Sequence, residues 1–334
     1  MRLPFIPSAA VALFAVLPAG AEPARIEVVR RDADHELDLR VDGKLAAGYR
    51  YAPTLRKPYL YPIVGPSGKS VTPENPPDHP HHNGIFAAAE TEGGALFWQG
   101  TSKDRIRHVK FGRAEAADGQ AVLETECVWE TPAGGAASPA APGVEAEFRG
   151  IIDDRRMVTF TPLGGGEMFL DYAVALTARE DVQFRKVTHM AFPQCRVTIP
   201  MSVKGGGKKE APIAGTGAIV NSHGDVNEKG TYGKAADWCD YSGSNEGAVE
   251  GIAVFSHPKL SAPWHPPPWF TRDYGPFSPN PWLFAEDDAA RRIAKGQTMC
   301  ARWGILIHRG DVKAGRVAER YEAYVRKEML TVGD

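Results

Sequence analysis

The sequence is poor in the features that mark most function classes. Its 334 residues include only four cysteines, Cys127, Cys195, Cys239 and Cys300, and no CxxC pair. That spacing argues against a structural zinc knuckle, and it leaves two disulfides open by count with their pairing undetermined. Formal net charge is −2, and no basic run is long enough to hold nucleic acid. Lys208-Lys209, beside Gly205-Gly206-Gly207, reads as a solvated loop. No GxGxxG follows a strand and no GxSxG marks a nucleophilic serine. Beyond the N-terminus no apolar run is long enough to span a bilayer.

The N-terminus has its own pattern. Arg2 supplies a positive start, Ala9 to Leu17 an apolar run too short to cross a membrane, and Ala19-Gly20-Ala21 a small-x-small cleavage site. Residues 1–21 are therefore expected to be a secretory signal peptide cut before Glu22, which sends the remainder to the periplasm or the exterior. Residues 22–334 are expected to form a single domain.

Glycine (35) and proline (27) punctuate that domain at short intervals. Between them lie short alternating runs: Ile26 to Arg30, His35 to Gly43 with a hairpin turn at Asp42-Gly43, Ala121 to Thr131, Met157 to Leu163 and Phe169 to Ala178. Val182 to Val187, Cys195 to Val203, Gly251 to Phe255 and Met299 to His308 extend the series. Only Val312 to Met329 has a helical period, with Val317, Tyr321, Tyr324 and Val325 on one stripe. Many strands without alternating helices predict an all-β fold, a large antiparallel β-sandwich with a short C-terminal helix. Thr131 to Gly143, TPAGGAASPAAPG, reads as a flexible low-complexity insertion.

Three polar stretches stand out. DHPHHNGIF, Asp78 to Phe86, holds three of the ten histidines in four positions. Pro80 disfavours helix there, and an extended chain would turn His79 and His81 to one side and His82 to the other. His79 and His81 are thus candidate ligands for a divalent metal, with Asp78, Glu90 or Glu92 to complete the set. His79, His81 and His82 are equally candidates for proton transfer, and Asn83 and Glu90 for substrate contact. Upstream, Tyr59 and Tyr61 offer aromatic faces with polar tips, which suit a sugar as well as a core. His257 to Trp282 carries eight prolines, three tryptophans and RDY, Arg272-Asp273-Tyr274. A cation, a carboxylate and a phenol in sequence suit hydroxyl or carboxylate recognition; Asn280 lies in the same stretch. Ile219 to Gly243 is turn-rich and adds His223, whereas Asp225 reads as a turn residue.

Together PYLYPIVGPSGK, DHPHHNGIF with Phe97-Trp98, VNSHGD with WCDYSG, and RDYGPFSPNPW resemble the PmoA-like family of exported bacterial proteins, in that family's order and over most of the chain. Asn83 and Ala89 depart from the pattern, where arginine and histidine are usual. The family designation implies a methane oxygenase subunit, hence a metal-dependent oxygenase or oxidoreductase. The PYLYPIVGPSG segment is similar to aldose-mutarotase-like proteins, which implies a mutarotase-like sandwich.

The leading expectation is an exported carbohydrate-active protein that binds or transforms a sugar or sugar derivative. Its pocket would hold His79, His81, His82, Arg272 and Asp273 as catalytic groups. Tyr59, Tyr61, Asn83, Glu90, His223, Tyr274 and Asn280 would contact the substrate, a small molecule or glycan. Lyase, epimerase and hydrolase chemistry all fit; a non-catalytic carbohydrate-binding protein is the alternative.

Overall fold

A computed structural model describes residues 24–133, 147–186, 193–209, 211–262, 264–283 and 287–331. The leader expected over residues 1–21 and most of the low-complexity stretch 131–143 lie outside the described residues.

Two eight-stranded sheets make up the fold. The first runs, in spatial order, Ile26–Arg31, Glu36–Val41, Lys44–Arg50, Tyr59–Ile63, Ile85–Phe86, Gln194–Arg196, Pro276–Pro279 and Trp269–Thr271. The second runs Ala218–Asn221, Trp238–Asn245, Ala248–Ser256, Thr298–Arg309, Glu167–Ala178, Phe148–Gly164, Gln120–Pro132 and Arg105–Ala117. Their strand pairs are antiparallel.

Alternation along the strands sends one face of each sheet into a shared core. Leu37, Leu39, Tyr49, Leu60 and Ile85 from the first sheet pack in one cluster with Ile106, Leu123, Trp129, Val158, Leu170 and Ile305 from the second. This is the expected all-β sandwich. The C-terminal helix is Val317–Thr331, shorter than the periodic run. Asp311 accepts hydrogen bonds from the Lys313 and Ala314 amides, and these turns use up residues 311–316 first. Val317 and Tyr324 bury against Phe169, Trp238, Phe255 and Leu306 on the outer face of the second sheet. Each such side chain contributes about 1.5–3 kcal/mol.

Two local expectations differ from the structure. Arg105–Ala117 is a long strand that alternation does not reveal, because it lies at a sheet edge where only Ile106 is buried. Cys195 to Val203 is strand only over Gln194–Arg196; a 3-10 turn follows at Ile199–Met201, where Pro200 interrupts extended pairing. All four cysteines are free.

Buried charge ties the strands together. Asp154 and Arg156 are paired in the core; Trp129 Nε1 donates to Asp154 at 2.7 Å and Arg156 donates to the Ala87 carbonyl at 3.1 Å. The second sheet thereby grips the segment that follows the three histidines. His308 reaches across the Ala248–Ser256 strand to Asp240 at 2.7 Å, both side chains fully buried. Gly251 lies between them, and a Cβ there would come within 2.7 Å of the imidazole. Burial alone lowers the His308 pKa, but the Asp240 carboxylate and the Arg309 carbonyl outweigh it and raise the value. Removing one partner strands the other charge. His308→Gln is expected to cost about 3–5 kcal/mol of unfolding free energy in urea titration; a loss below about 1 kcal/mol would mean the pair is not ionised.

Candidate functional site

The register of the first sheet brings three distant segments together. Cys195 lies opposite Ile85 on one side and Phe277 on the other. The histidine segment feeds the Ile85–Phe86 strand and RDYG feeds Pro276–Pro279, so both converge on Arg196. Gly84 makes the entry possible: its φ is +51°, and a Cβ would stand 1.9 Å from the Leu60 carbonyl oxygen.

Arg196 is 1% exposed and occupies the centre of this junction. Its Nη2 donates to both Asp78 carboxylate oxygens, at 2.8 and 2.6 Å, and its Nη1 meets His82 Nδ1 at 3.2 Å. A guanidinium has donors only, so His82 Nδ1 is the acceptor and the imidazole is neutral with its proton on Nε2. Burial, with His81 and Arg196 adding repulsion, pushes the His82 pKa far down. Partial burial works against ionisation of Asp78, but the bonds from Arg196 and His79 prevail and hold the carboxyl below its usual range. Asp78 in turn accepts from His79 Nδ1 at 3.0 Å. That bond leaves Nε2 of neutral His79 as a free base, on a side chain 37% exposed.

The histidines do not adopt the extended geometry expected of them. The His79 amide bonds to the Pro76 carbonyl and the His82 amide to the His79 carbonyl, so two turns follow one another. Residues three apart then share a side. His79 and His82 stack at 4.9 Å with planes 6° apart, and Tyr274 stacks on His79 at 4.8 Å. His81 stands edge-on to both. Nitrogen lone pairs lie in the ring planes, so the parallel, stacked imidazoles of His79 and His82 do not point at a common ion. Among the described residues no three His, Cys, Asp or Glu are placed to hold a metal.

Two residues here carried no weight in the motif reading: Arg196, and Lys57. Lys57 is 4% exposed, donates to the carbonyls of His81 and Trp98 at 2.9 and 2.8 Å, and sits over the Phe86 ring. Burial lowers its pKa to about 7. It pins the His81 backbone, and burial together with the Lys57 charge lowers the His81 pKa to about 4.

Tyr274 also lines a cleft of about 550 Å³ with Lys204, Glu228, Lys229, Arg272 and Asp273. Arg272 pairs with Glu228 at 2.7 Å and lies over the Tyr232 and Phe270 rings. Asp273 accepts from the Glu228 amide at 2.9 Å, and its own amide donates to Glu228 at 3.0 Å. Arg272 and Asp273 thus face a different opening from the histidines, joined to them through Tyr274.

Other expected contacts have structural partners. Tyr59 donates to Glu74 at 2.7 Å, and Arg50 lies over the Tyr61 ring. Asn83 accepts from the Asn75 amide at 2.6 Å. Glu90 is buried, accepts from Trp98 Nε1 at 2.7 Å and pairs with Arg185 at 3.3 Å. His223 is exposed, its ring 3.2 Å from the Ala235 carbonyl oxygen, and Asn280 is fully buried, accepting from the Trp282 amide.

Residues 36–322 match the model of a Family of unknown function (DUF6807). The chain belongs to that family. This assignment corrects the PmoA-like resemblance drawn from the motifs, and the oxygenase reading, which rested on that designation, falls with it. No curated protein matches this DUF6807 chain. Solved structures similar to it include a galactose 1-epimerase from Lactobacillus acidophilus NCFM, at 8% identity and TM-score 0.39, covering 86% of this chain and 99% of that one. A GalM/aldose epimerase homologue from C. elegans is similar at 8% identity and TM-score 0.28, covering 86% of this chain and 100% of that one. No helix among the described residues is long and apolar enough to cross a membrane.

Neutral buried imidazoles make stability depend on pH. The unfolded chain takes up protons near pH 6.5, whereas folded His81 resists to about 4 and His82 further still. His108 and His257 behave like His81. Their folded pKa values are depressed, so the stability they contribute is complete above about pH 6.5 and is lost as pH falls. The His308 pKa is raised, so its contribution is complete below about pH 6.5 and is lost as pH rises above it. The urea midpoint is therefore expected to drop between about pH 7 and pH 5, and less steeply in His82→Gln; parallel slopes would contradict a neutral His82.

Proposed function

We propose that this protein binds a sugar or sugar derivative beside Tyr274 and transforms it by general acid–base catalysis at His79, outside the cytoplasm after removal of its leader. One observation carries the reading: Arg196, Asp78 and His79 form a continuous hydrogen-bonded chain from a buried guanidinium to a half-exposed imidazole. Asp78 fixes the tautomer and orientation of His79, so the outer nitrogen accepts a proton from a hydroxyl or an acidified C–H and afterwards returns it. Tyr274, stacked on His79 and lining the adjoining cleft, sets an aromatic ring with a polar tip beside the base, where a pyranose can pack. Tyr274 also connects this base to the Arg272–Asp273 cleft. Proton transfer at one positioned base is common to epimerisation, β-elimination and hydrolysis, and the substrate decides among them.

The test is turnover followed by proton NMR over a panel of neutral and acidic mono- and oligosaccharides. His79→Gln is expected to lower kcat by about 10²–10⁴-fold while sugar affinity, measured calorimetrically, changes little. Sugar binding with no turnover in wild type would instead identify a non-catalytic carbohydrate-binding protein. Neither binding nor turnover across the panel would overturn the assignment.

A further inference from the structure

The charges around the Tyr274 cleft are unequal. Its lining holds three cations, Lys204, Lys229 and Arg272, against two carboxylates, Glu228 and Asp273. Glu228 is already committed: one oxygen takes Arg272, the other the Asp273 amide. Asp273 accepts from the Glu228 amide, so part of its capacity is spent on the loop itself. Arg272 is occupied by Glu228 and by two aromatic faces. The cations left to meet a ligand are the exposed amines of Lys204 and Lys229.

Lys204 is held in place. Its amide donates to the Asp273 carbonyl at 2.8 Å, and the Tyr241 hydroxyl donates to that same carbonyl at 3.0 Å while accepting from the Val203 amide. Lys204 also belongs to a second, adjoining cleft of about 440 Å³ with Gly205, Gly206, Gly207, Lys208, Lys209 and the apolar residues that face them. The lysine–glycine run that reads as a solvated loop in the sequence is here a short hairpin, Gly206–Lys208 paired with Ala211–Ile213. Among the described residues that line it none is acidic. The two clefts share Lys204, and between them they are lined by four lysines, Lys229, Lys204, Lys208 and Lys209. The whole chain carries a formal net charge of −2, which makes this local excess a property of the two clefts and not of the protein. Positive groups lining a concave surface concentrate anions there.

Resting on the reading of the His79 site above, we propose that the ligand is an anionic saccharide, carrying carboxylate or sulfate groups. One sugar ring lies at Tyr274 within reach of His79, with acid groups on Lys204 and Lys229. Further residues of the chain run along the lysine hairpin. Lysine suits this role because a mobile point charge tolerates acid groups at varied spacing, where a bidentate arginine would demand one geometry.

The experiment is calorimetric binding of uronate-containing trisaccharides of gluco, galacto and manno configuration, alongside their methyl esters and sulfated neutral trisaccharides. Lys204→Met/Lys229→Met serves as the variant, since both residues are exposed, with an unchanged urea midpoint as the check on folding. An acidic trisaccharide is expected to bind wild type at least about tenfold more tightly than its methyl ester, with that advantage lost in the double variant and weakened by added salt. Preference for the sulfated set under the same lysine dependence identifies sulfate as the acid group. Equal affinity for acid and ester, unchanged in the double variant, would overturn this proposal while leaving proton transfer at His79 intact. Conversely, lysine-dependent binding without any His79-dependent turnover would support the charge reading and sink the catalytic one. No anionic saccharide binding more tightly than its neutral counterpart overturns the proposal.

Discussion

The candidate site depends on one buried guanidinium. Arg196 is all but sealed from solvent, yet it must satisfy a permanent positive charge and donors that have no acceptor role. Its two Nη atoms take Asp78 with two bonds and His82 with one. Each partner's protonation state follows. Asp78 is held ionised, and His82 is held neutral with Nδ1 facing the guanidinium. Asp78 then fixes His79 through Nδ1, and the stacked rings of His82 and Tyr274 fix its plane. A lysine in place of Arg196 would supply charge but no planar fork, and the chain from core to surface would lose its geometry.

The sheet makes this arrangement affordable in space. Gln194–Arg196 is only three residues long, paired with a two-residue strand on one side and a four-residue strand on the other. Arg196 therefore ends a strand where two approaching loops meet. Those loops are secured elsewhere: Lys57 clamps the carbonyls of His81 and Trp98, Arg156 holds Ala87, and Tyr241 with Glu228 braces the Asp273 turn. Rigid supports of this kind let a half-exposed base keep a fixed orientation. On the far side of Tyr274 the electrostatics change, from a neutralised core pair to an excess of lysine amines.

Much of the fold is legible in the sequence because burial imposes a period of two on strands with one wet face. Ala121 to Thr131 and Phe169 to Ala178 are recognised that way, and the helix by its Val317–Tyr324 stripe. The Arg105–Ala117 strand escapes because an edge strand facing solvent needs no apolar alternation. At the site, DHPHH and RDY announce themselves by density of polar groups, but their partners do not. Arg196 sits alone in PQCRVTIP; the signal was a single charge inside an otherwise apolar strand, which must find a counter-charge. Lys57 gives less signal still, since it follows Arg56 and precedes Pro58 outside any strand. The HxH spacing suggests an extended chain, whereas turns at Pro76–His79 and His79–His82 pair residues three apart.

The central claim is that Arg196 dictates the protonation of the histidine cluster. Long-range proton–nitrogen NMR of the imidazoles, followed from about pH 8 down to about pH 5, tests it directly. The account predicts that His82 keeps an unprotonated Nδ1 and a protonated Nε2 throughout, while neutral His79 carries its proton on Nδ1. A His82 that is protonated at Nδ1, or that titrates near the ordinary imidazole value, would contradict it.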